Sequence, residues 1–195
     1  MFSLLSRRRL PADRRPPLER DERVLAWAHV GGGESGTLVA TNRGLWLPGR
    51  DQPDQPESDQ PESDQPEPPG RLGWHQIHKA VWAAGELTVI SAEVIREAGD
   101  YKVVADRPAL TFTLDEPGDV PHQVRARVTG SVAYTQHHRL PSGAGVRVVG
   151  RRVSGVDGLT WTVRFDPGVE MELAEAEVVA ADLVARARST ADPTL

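Results

Sequence analysis

Cysteine is absent from the 195-residue chain. Its absence excludes disulfide bonds, thiolate nucleophiles, iron–sulfur clusters and zinc sites with cysteine ligands. Aromatic residues make up only 5% of the chain and hydrophobic residues 38%, which is low for a chain that is folded throughout. Because the sequence also contains 18 glycines and 16 prolines, we expect part of it to remain unfolded.

Lysine occurs only twice, so that 21 of the 23 basic residues are arginines. The formal net charge of −5 is unevenly distributed, because residues 51–69 hold seven carboxylates and no basic side chain. The rest of the chain has 21 acidic and 23 basic residues and is therefore close to neutral. A nucleic-acid-binding protein normally concentrates basic residues on one face, so a nucleic-acid partner is not expected.

Long hydrophobic runs are also missing, since no segment approaches the ~20 apolar residues that span a bilayer. The first apolar residues precede the first arginines, which is the reverse of the order in a secretory signal. We therefore expect a cytoplasmic protein. Residues 1–22 contain few large apolar side chains and are predicted to form a disordered basic arm. As an alternative, this arm would hold the protein at an anionic inner membrane surface through Phe2, Leu4, Leu5, Arg7, Arg8 and Arg9.

Residues 51–69 contain a five-residue repeat, Asp-Gln-Pro-Glu followed by Ser or Pro, in three copies. The repeat has no apolar residue to bury, so it cannot stack into a solenoid. Proline and like-charge repulsion predict an extended, disordered segment. Because β-type sequence resumes afterwards, we interpret it as a loop insertion between two strands, a change that costs little loop-closure entropy. A dedicated acidic docking segment is the alternative.

Short apolar runs separated by glycine and asparagine turns predict antiparallel strands on both sides of this insertion. Alternation is clearest where Leu110, Phe112 and Leu114 are separated by threonines. Residues 119–138 fit both helical and strand periodicity, and Asp119 as a cap with Pro121 in the first turn favours a helix. A hairpin is predicted at 145–153 and 159–165, and a helix at 170–188.

No motif indicates catalysis. Gly31-Gly-Gly-Glu-Ser-Gly36 matches the dinucleotide-binding pattern, but strand-like sequence follows it, which favours a flexible hairpin loop. His75 and His78 would share a helical face as metal ligands, yet no third ligand is evident and neighbouring apolar residues favour a place beside a core strand. Serine does not occur in a G-x-S-x-G elbow. We therefore expect no enzyme activity, no catalytic residue, no cofactor and no metal.

All five tryptophans lie in strand-like runs, so core packing is the expected role, with a recognition surface for one or two of them as the alternative. They are Trp27, Trp46, Trp74, Trp82 and Trp161.

The strand sequences resemble bacterial pleckstrin-homology-like (PH-like) and GRAM-like domains, particularly uncharacterised actinobacterial proteins. The resemblance is carried by Val-Leu-Ala-Trp at 24–27, Leu-Val-Ala-Thr-Asn-Arg-Gly-Leu at 38–45, Trp-His-Gln-Ile at 74–77 and Leu-Thr-Val at 87–89. It covers about residues 22–138 and implies a small seven-stranded antiparallel barrel or sandwich closed by a helix at 119–138. Such domains generally bind proteins or lipid headgroups. Glu34 lies where a phosphoinositide site would need basic residues, so that recognition is not expected.

These observations predict an α+β, mostly β protein. Its parts are a disordered basic arm (1–22), a PH-like domain (23–140) with a disordered acidic insertion (51–69), and a hairpin plus C-terminal helix packed on the same domain (141–195). The predicted function is that of a non-catalytic adaptor or scaffold, which binds a protein partner through an exposed edge or groove by strand addition. A peripheral membrane protein is the alternative. A small hydrolase or ligand-binding enzyme with a site assembled by folding is a remote third hypothesis.

Overall fold

The computed structural model describes residues 9–31, 36–48, 70–140, 143–168 and 173–191. Strands hold 47% and helices 23% of the structure, which confirms the predicted α+β, mostly β class. The strands are β1 (Val24–Val30), β2 (Gly36–Thr41), β3 (Gly44–Trp46), β4 (Arg71–Gly73), β5 (Ile77–Ala83), β6 (Glu86–Ala98), β7 (Tyr101–Asp106), β8 (Leu110–Thr113), β9 (Val132–Arg139), β10 (Gly145–Arg151) and β11 (Thr160–Phe165). The helices are α1 (Val120–Ser131) and α2 (Leu173–Ala191), with short 3-10 turns at Ala12–Arg14 and Trp74–Gln76.

The first half of the molecule is a curled, barrel-like sheet. Strands β1 to β4 form an antiparallel sheet in chain order, while the first part of β6 pairs with β5 and β8. An isolated bridge between Val30 and Leu114 joins β1 to the end of β8. As the alternation predicts, Phe112 and Leu114 are buried, whereas Thr111 and Thr113 are exposed.

Helix α1 closes this half-barrel. Its buried residues Val120, Val124 and Val128 follow one another at four-residue spacing and pack into the first hydrophobic cluster. Asp119 stands at the N-cap position, but its side chain makes no capping hydrogen bond and accepts one from Gln123 instead.

The prediction of one helix over 119–138 is wrong in its second half. The helix ends at Ser131, and Val132–Arg139 form strand β9, which pairs with β10 along its length. Local capping signals favoured the helix, but the period-two pattern of this segment fits the surface of the second sheet. Cross-strand pairing therefore decides the structure there, as tertiary context commonly does for ambiguous segments.

The second half of the molecule is a second sheet covered by one helix. The last part of β6 continues into it, and the strand order is then β7, β11, β10 and β9, with β7 and β11 parallel. The predicted hairpin is confirmed by the pairing of β10 with β11 from Val146 with Phe165 to Arg151 with Thr160. The predicted C-terminal helix is also present, as α2, which supplies Ala180, Leu183, Val184 and Ala187 to a second hydrophobic cluster.

The two hydrophobic clusters are built from different residues. The second cluster combines Tyr101 of β7 and Leu140 with residues of β10, β11 and α2. It therefore draws on residues from both sides of the predicted boundary at 140. Strand β6 belongs to both sheets, so one continuous strand links the two halves.

The N-terminal arm was predicted to extend to residue 22, and this end point is wrong. Glu22 is buried and accepts hydrogen bonds from the Thr41 hydroxyl and the Trp46 indole N–H. Glu19 forms an ion pair with Arg71. The error arose because charged residues beside prolines indicate a solvated segment, whereas this carboxylate is stabilised by partners distant in sequence.

The acidic insertion at 51–69 lies outside the described residues, but the strands on either side of it are described. Strands β3 and β4 pair antiparallel, with Leu45 opposite Leu72. The backbone N–H of Leu47 donates to the carbonyl of Gly70 at 2.7 Å. The insertion therefore joins two paired neighbouring strands, as predicted. No described helix is both long enough and apolar enough to cross a membrane.

Candidate functional site

A polar cleft of about 400 Å³ lies where the two halves of the molecule meet. Its walls come from α1, the turn between β2 and β3, the 3-10 turn before β5 and the residues that follow β10. Among the residues that the structure describes, none of those lining the cleft is acidic. Its charged or hydrogen-bonding side chains include Arg43, Arg127, Arg152, His75, Gln123 and Ser131.

The arginines of the cleft differ in how their charge is compensated. Arg43 donates to both carboxylate oxygens of Asp21 at 2.6 Å and forms an ion pair with Glu19 at 2.8 Å. Within the described ranges, Arg127 and Arg152 form no ion pair. The cleft therefore carries positive charge that no described carboxylate balances.

A buried arginine stands directly behind the cleft. Arg151 is only 6% exposed, and its Nη1 donates to the Ser131 hydroxyl, which lines the cleft, at 2.8 Å. Its Nε is buried and has no hydrogen-bond partner in the part of the chain that the structure describes. Burial lowers the pKa of the Arg151 guanidinium, because desolvation disfavours a charged form.

His75 lines the same cleft and is held in its neutral form. Burial lowers its pKa to about 4, and the positive charges of Arg151, Lys102 and Arg71 act in the same direction. At pH 7 the imidazole is therefore uncharged. A neutral ring can lie close to the buried guanidinium without adding a further positive charge.

His78 belongs to a different polar cluster, which ties β5 to the second sheet. Its Nδ1 lies 2.6 Å from an Asp106 oxygen, and the other oxygen of Asp106 accepts a hydrogen bond from Arg164. Burial lowers the pKa of His78, although Asp106 opposes the shift. Burial raises the pKa of Asp106, but hydrogen bonds from His78 and Arg164 and their charges hold it below its usual value.

Neither a metal site nor a hydrolytic site is assembled from these histidines. His75 lies in the 3-10 turn and His78 in β5, so they do not share the helical face on which a metal pair would depend. Among the described residues, no group of three metal-ligating side chains occurs. The His78–Asp106 and His137–Asp166 pairs have no hydrogen-bonded hydroxyl in the described ranges that would act as a nucleophile.

Strand β9 offers an open edge beside the cleft, since it begins immediately after Ser131. Among the described residues it pairs with β10 alone. Its eight residues include neither lysine nor proline. Natural sheets usually protect a long edge strand with such residues, with a bulge or with a covering element. The pairing with β10 has one irregularity, between Gly150 and Arg151 at the start of β9, so the regular part of the edge, residues 134–139, is available to another extended segment.

Some of the candidate residues named from the sequence lie outside the described residues, and the others lie in different parts of the structure. Phe2, Leu4, Leu5, Arg7 and Arg8 lie outside the described residues, as does Glu34, whereas Arg9 is described and exposed. The loop that matches the glycine motif joins the paired strands β1 and β2, as predicted. Of the five tryptophans, three are buried, Trp27 is half-buried, and Trp82 is 39% exposed at the end of β5.

Sequence reasoning missed the arginines of the cleft. Arg151 and Arg152 are adjacent at the end of β10, and Arg127 lies on α1, far away in sequence. In a chain with 21 arginines, no local signal distinguishes a buried arginine from a solvated one. Only the meeting of the two halves brings these residues together.

Comparison of the chain with protein-family models, with curated proteins and with solved structures gave no significant match. The resemblance to PH-like domains therefore stays a prediction from the sequence. The function must be argued from the geometry of the site.

Proposed function

We propose that this chain is a non-catalytic adaptor that binds a protein partner by adding an extended segment of that partner to the open edge of β9. The observation that carries the proposal is the eight-residue edge itself, which pairs only with β10 among the described residues. In strand addition, main-chain hydrogen bonds supply affinity, and the side chains beside the edge supply specificity.

The support behind β9 suits this role. Strand β10 pairs with β9 from Gly145 with Arg139 to Arg151 with Val132, and β11 pairs with the other side of β10. Helix α2 packs against the same sheet through the second hydrophobic cluster. The edge strand is therefore held in place by the rest of its sheet and by α2. Because it is already ordered before a partner binds, binding does not carry the entropic cost of ordering it.

Two adjacent proline substitutions test the proposal. Thr135 and Gln136 are both exposed, and neighbouring residues of an antiparallel strand direct their N–H groups towards opposite edges. Thr135→Pro and Gln136→Pro should therefore differ: one breaks the pairing with β10 and lowers the Tm, while the other blocks only the open edge. A partner is enriched from extracts of the native cell, purified, and titrated against both variants and the wild-type chain.

The expected result is that the variant with a wild-type Tm binds the purified partner at least about tenfold more weakly. Retention of full affinity by that variant would contradict strand addition at β9.

Flotation with anionic vesicles tests the alternative that the protein is a peripheral membrane protein. It compares the wild-type chain with a full-length variant that combines Arg7→Gln, Arg8→Gln and Arg9→Gln. Salt-sensitive flotation that requires these arginines would favour the membrane role.

A further inference from the structure

We propose that the polar cleft is a binding site for a soluble phosphate monoester, with Arg127 and Arg152 as its direct ligands. Arg151, which donates to the Ser131 hydroxyl, stands behind the cleft and adds its positive charge without touching the ligand. This inference is independent of strand addition at β9, because it concerns other side chains and another class of ligand.

The positive charge of the cleft is not balanced within the described residues. Three partly buried arginines elsewhere are paired with carboxylates, Arg71 with Glu22, Arg96 with Glu177 and Arg164 with Asp106, whereas Arg147 has no ion pair in the described ranges. In the cleft, Arg127 and Arg152 form no ion pair with any described residue, and none of the described lining residues is acidic. A bound anion would supply the missing negative charge.

The buried guanidinium of Arg151 would also be stabilised by an anion in the cleft. A guanidinium that is 94% buried, with one donor on a serine hydroxyl and its Nε without a described partner, is costly to keep in a protein. The cost falls when an anion stands a short distance away in a site of low dielectric constant. Ser131, a lining residue, lies between the two, but its hydroxyl accepts from Arg151 and donates to the carbonyl of Val128, so Arg151 would act on the anion through its charge and not through a hydrogen-bond relay.

The arginine side chains also indicate which kind of anion binds. Guanidinium groups bind phosphate and carboxylate oxygens in forked geometry, and phosphate presents more acceptor oxygens and up to two negative charges. Two ligand arginines with a third behind them favour the dianion. The cleft, at about 400 Å³, is within the usual size of small-molecule sites.

The position of the cleft predicts a second consequence of binding. Arg127 belongs to α1, which closes the first half, and Arg152 follows β10 of the second half. The backbone N–H of Arg152 also donates to the carbonyl of Ser131 at 2.8 Å. A ligand held by both arginines therefore bridges the two halves and should raise the Tm once its concentration exceeds the dissociation constant, with a further logarithmic rise at higher concentration.

The experiment titrates the full chain with glycerol 3-phosphate, inorganic phosphate and acetate in low-salt chloride buffer, followed by calorimetry and by Tm. We expect glycerol 3-phosphate to bind at least about tenfold more tightly than acetate. Arg127→Gln and Arg152→Gln should each weaken its binding by about 10- to 100-fold. Both side chains are at least partly exposed, so the variants should keep the wild-type Tm without ligand.

Arg125→Gln is the matched control, because Arg125 is an exposed arginine on the same helix that does not line the cleft. Its affinity for glycerol 3-phosphate should stay within about twofold of wild type. Equal loss in the Arg125 and Arg127 variants, or no binding by the wild-type chain, would overturn the proposal. Binding to phosphatidic acid vesicles without binding of glycerol 3-phosphate would also overturn it, since the ligand would then be a lipid surface.

Discussion

Glu22 is the most completely buried carboxylate in the described part of the chain, with a side chain that is 0% exposed. It accepts hydrogen bonds from Thr41, Trp46 and the backbone N–H of Glu19, and it forms an ion pair with Arg71 at 2.9 Å. Burial raises its pKa, but these hydrogen bonds and the Arg71 charge together hold the pKa below its usual value. The residue therefore fastens the segment before β1 to strands β2, β3 and β4.

Replacing Glu22 by glutamine should lower the free energy of unfolding by about 2 kcal/mol, because the Arg71 guanidinium would lose its buried charge partner and keep only the more exposed Glu19. Urea unfolding at pH 7 measures the loss. Glu93→Gln is the control, since Glu93 is exposed on β6, and it should change stability by less than about 0.5 kcal/mol. Equal stability of the two variants would show that the Glu22 network is not what holds this segment.

The lowered pKa of His75 predicts a loss of stability in mild acid. Its pKa is about 4 in the folded chain and near 6.5 when unfolded, so the unfolded state binds more protons between these values. Stability is therefore complete above about pH 6.5 and falls as the pH decreases towards 4, by at most about 3 kcal/mol for this residue. Chemical denaturation at pH 7, 6 and 5 measures the slope.

His75→Gln is the variant that separates this residue from the other titrating groups. It should flatten the dependence between pH 7 and 5, whereas carboxylates such as Glu22 titrate lower still. Burial also lowers the pKa of His78, so the His75→Gln variant would keep a smaller dependence of stability on pH. A variant with the full wild-type slope would mean that His75 is not the group responsible.

At the scale of elements, the turn between β5 and β6 has the backbone geometry of a common hairpin turn, but it contains an alanine, Ala84, where that geometry disfavours alanine. Ala83 pairs with Glu86, and the two residues between them have positive φ, 51° for Ala84 and 84° for Gly85. This is the pattern of a type I′ turn, in which asparagine followed by glycine is preferred. Alanine tolerates the left-handed conformation poorly because of its Cβ atom.

Ala84→Asn should therefore stabilise the protein by about 0.5 to 1 kcal/mol. Thermal and urea unfolding would both show the gain. Ala83→Asn, one residue earlier in β5, is the control and should be neutral or destabilising, because asparagine is disfavoured in strands. Destabilisation by Ala84→Asn would contradict the assignment of the turn.

The elements could be predicted where their pattern is local. Alternating residues around Phe112 and the long amphipathic run of α2 were sufficient for those two elements. Residues 132–139 could not be predicted, because their partner strand is decided by tertiary pairing. The cleft could not be predicted from the sequence for the same reason, since Arg127 and Arg152 come together only after both halves have folded.

At the scale of the whole molecule, the long strand β6 connects the two sheets. Its first part pairs with β5 and β8 over the first hydrophobic cluster. Its last part pairs with β7 beside the second cluster. The polar cleft and the start of β9 both lie where these two halves meet, so the proposed sites depend on the whole fold.

Deletion of residues 51–69 should leave this fold intact. The N–H of Leu47 already bonds to the carbonyl of Gly70, so three remaining residues could close the turn between β3 and β4. A shorter loop costs less closure entropy, so we expect the Tm to stay within about 5 °C of wild type, with any change upwards. Loss of cooperative thermal unfolding would show that the insertion contributes to the core.

Hydrogen exchange along β9, with and without the purified protein partner, tests the central claim most directly. Alone, the amides that face the open edge should exchange quickly, while those paired with β10 are protected. In the complex, the edge amides of Val132–Arg139 should slow by at least about tenfold, with β11 unchanged. A partner that binds while every β9 amide exchanges at its free rate would contradict strand addition at this edge.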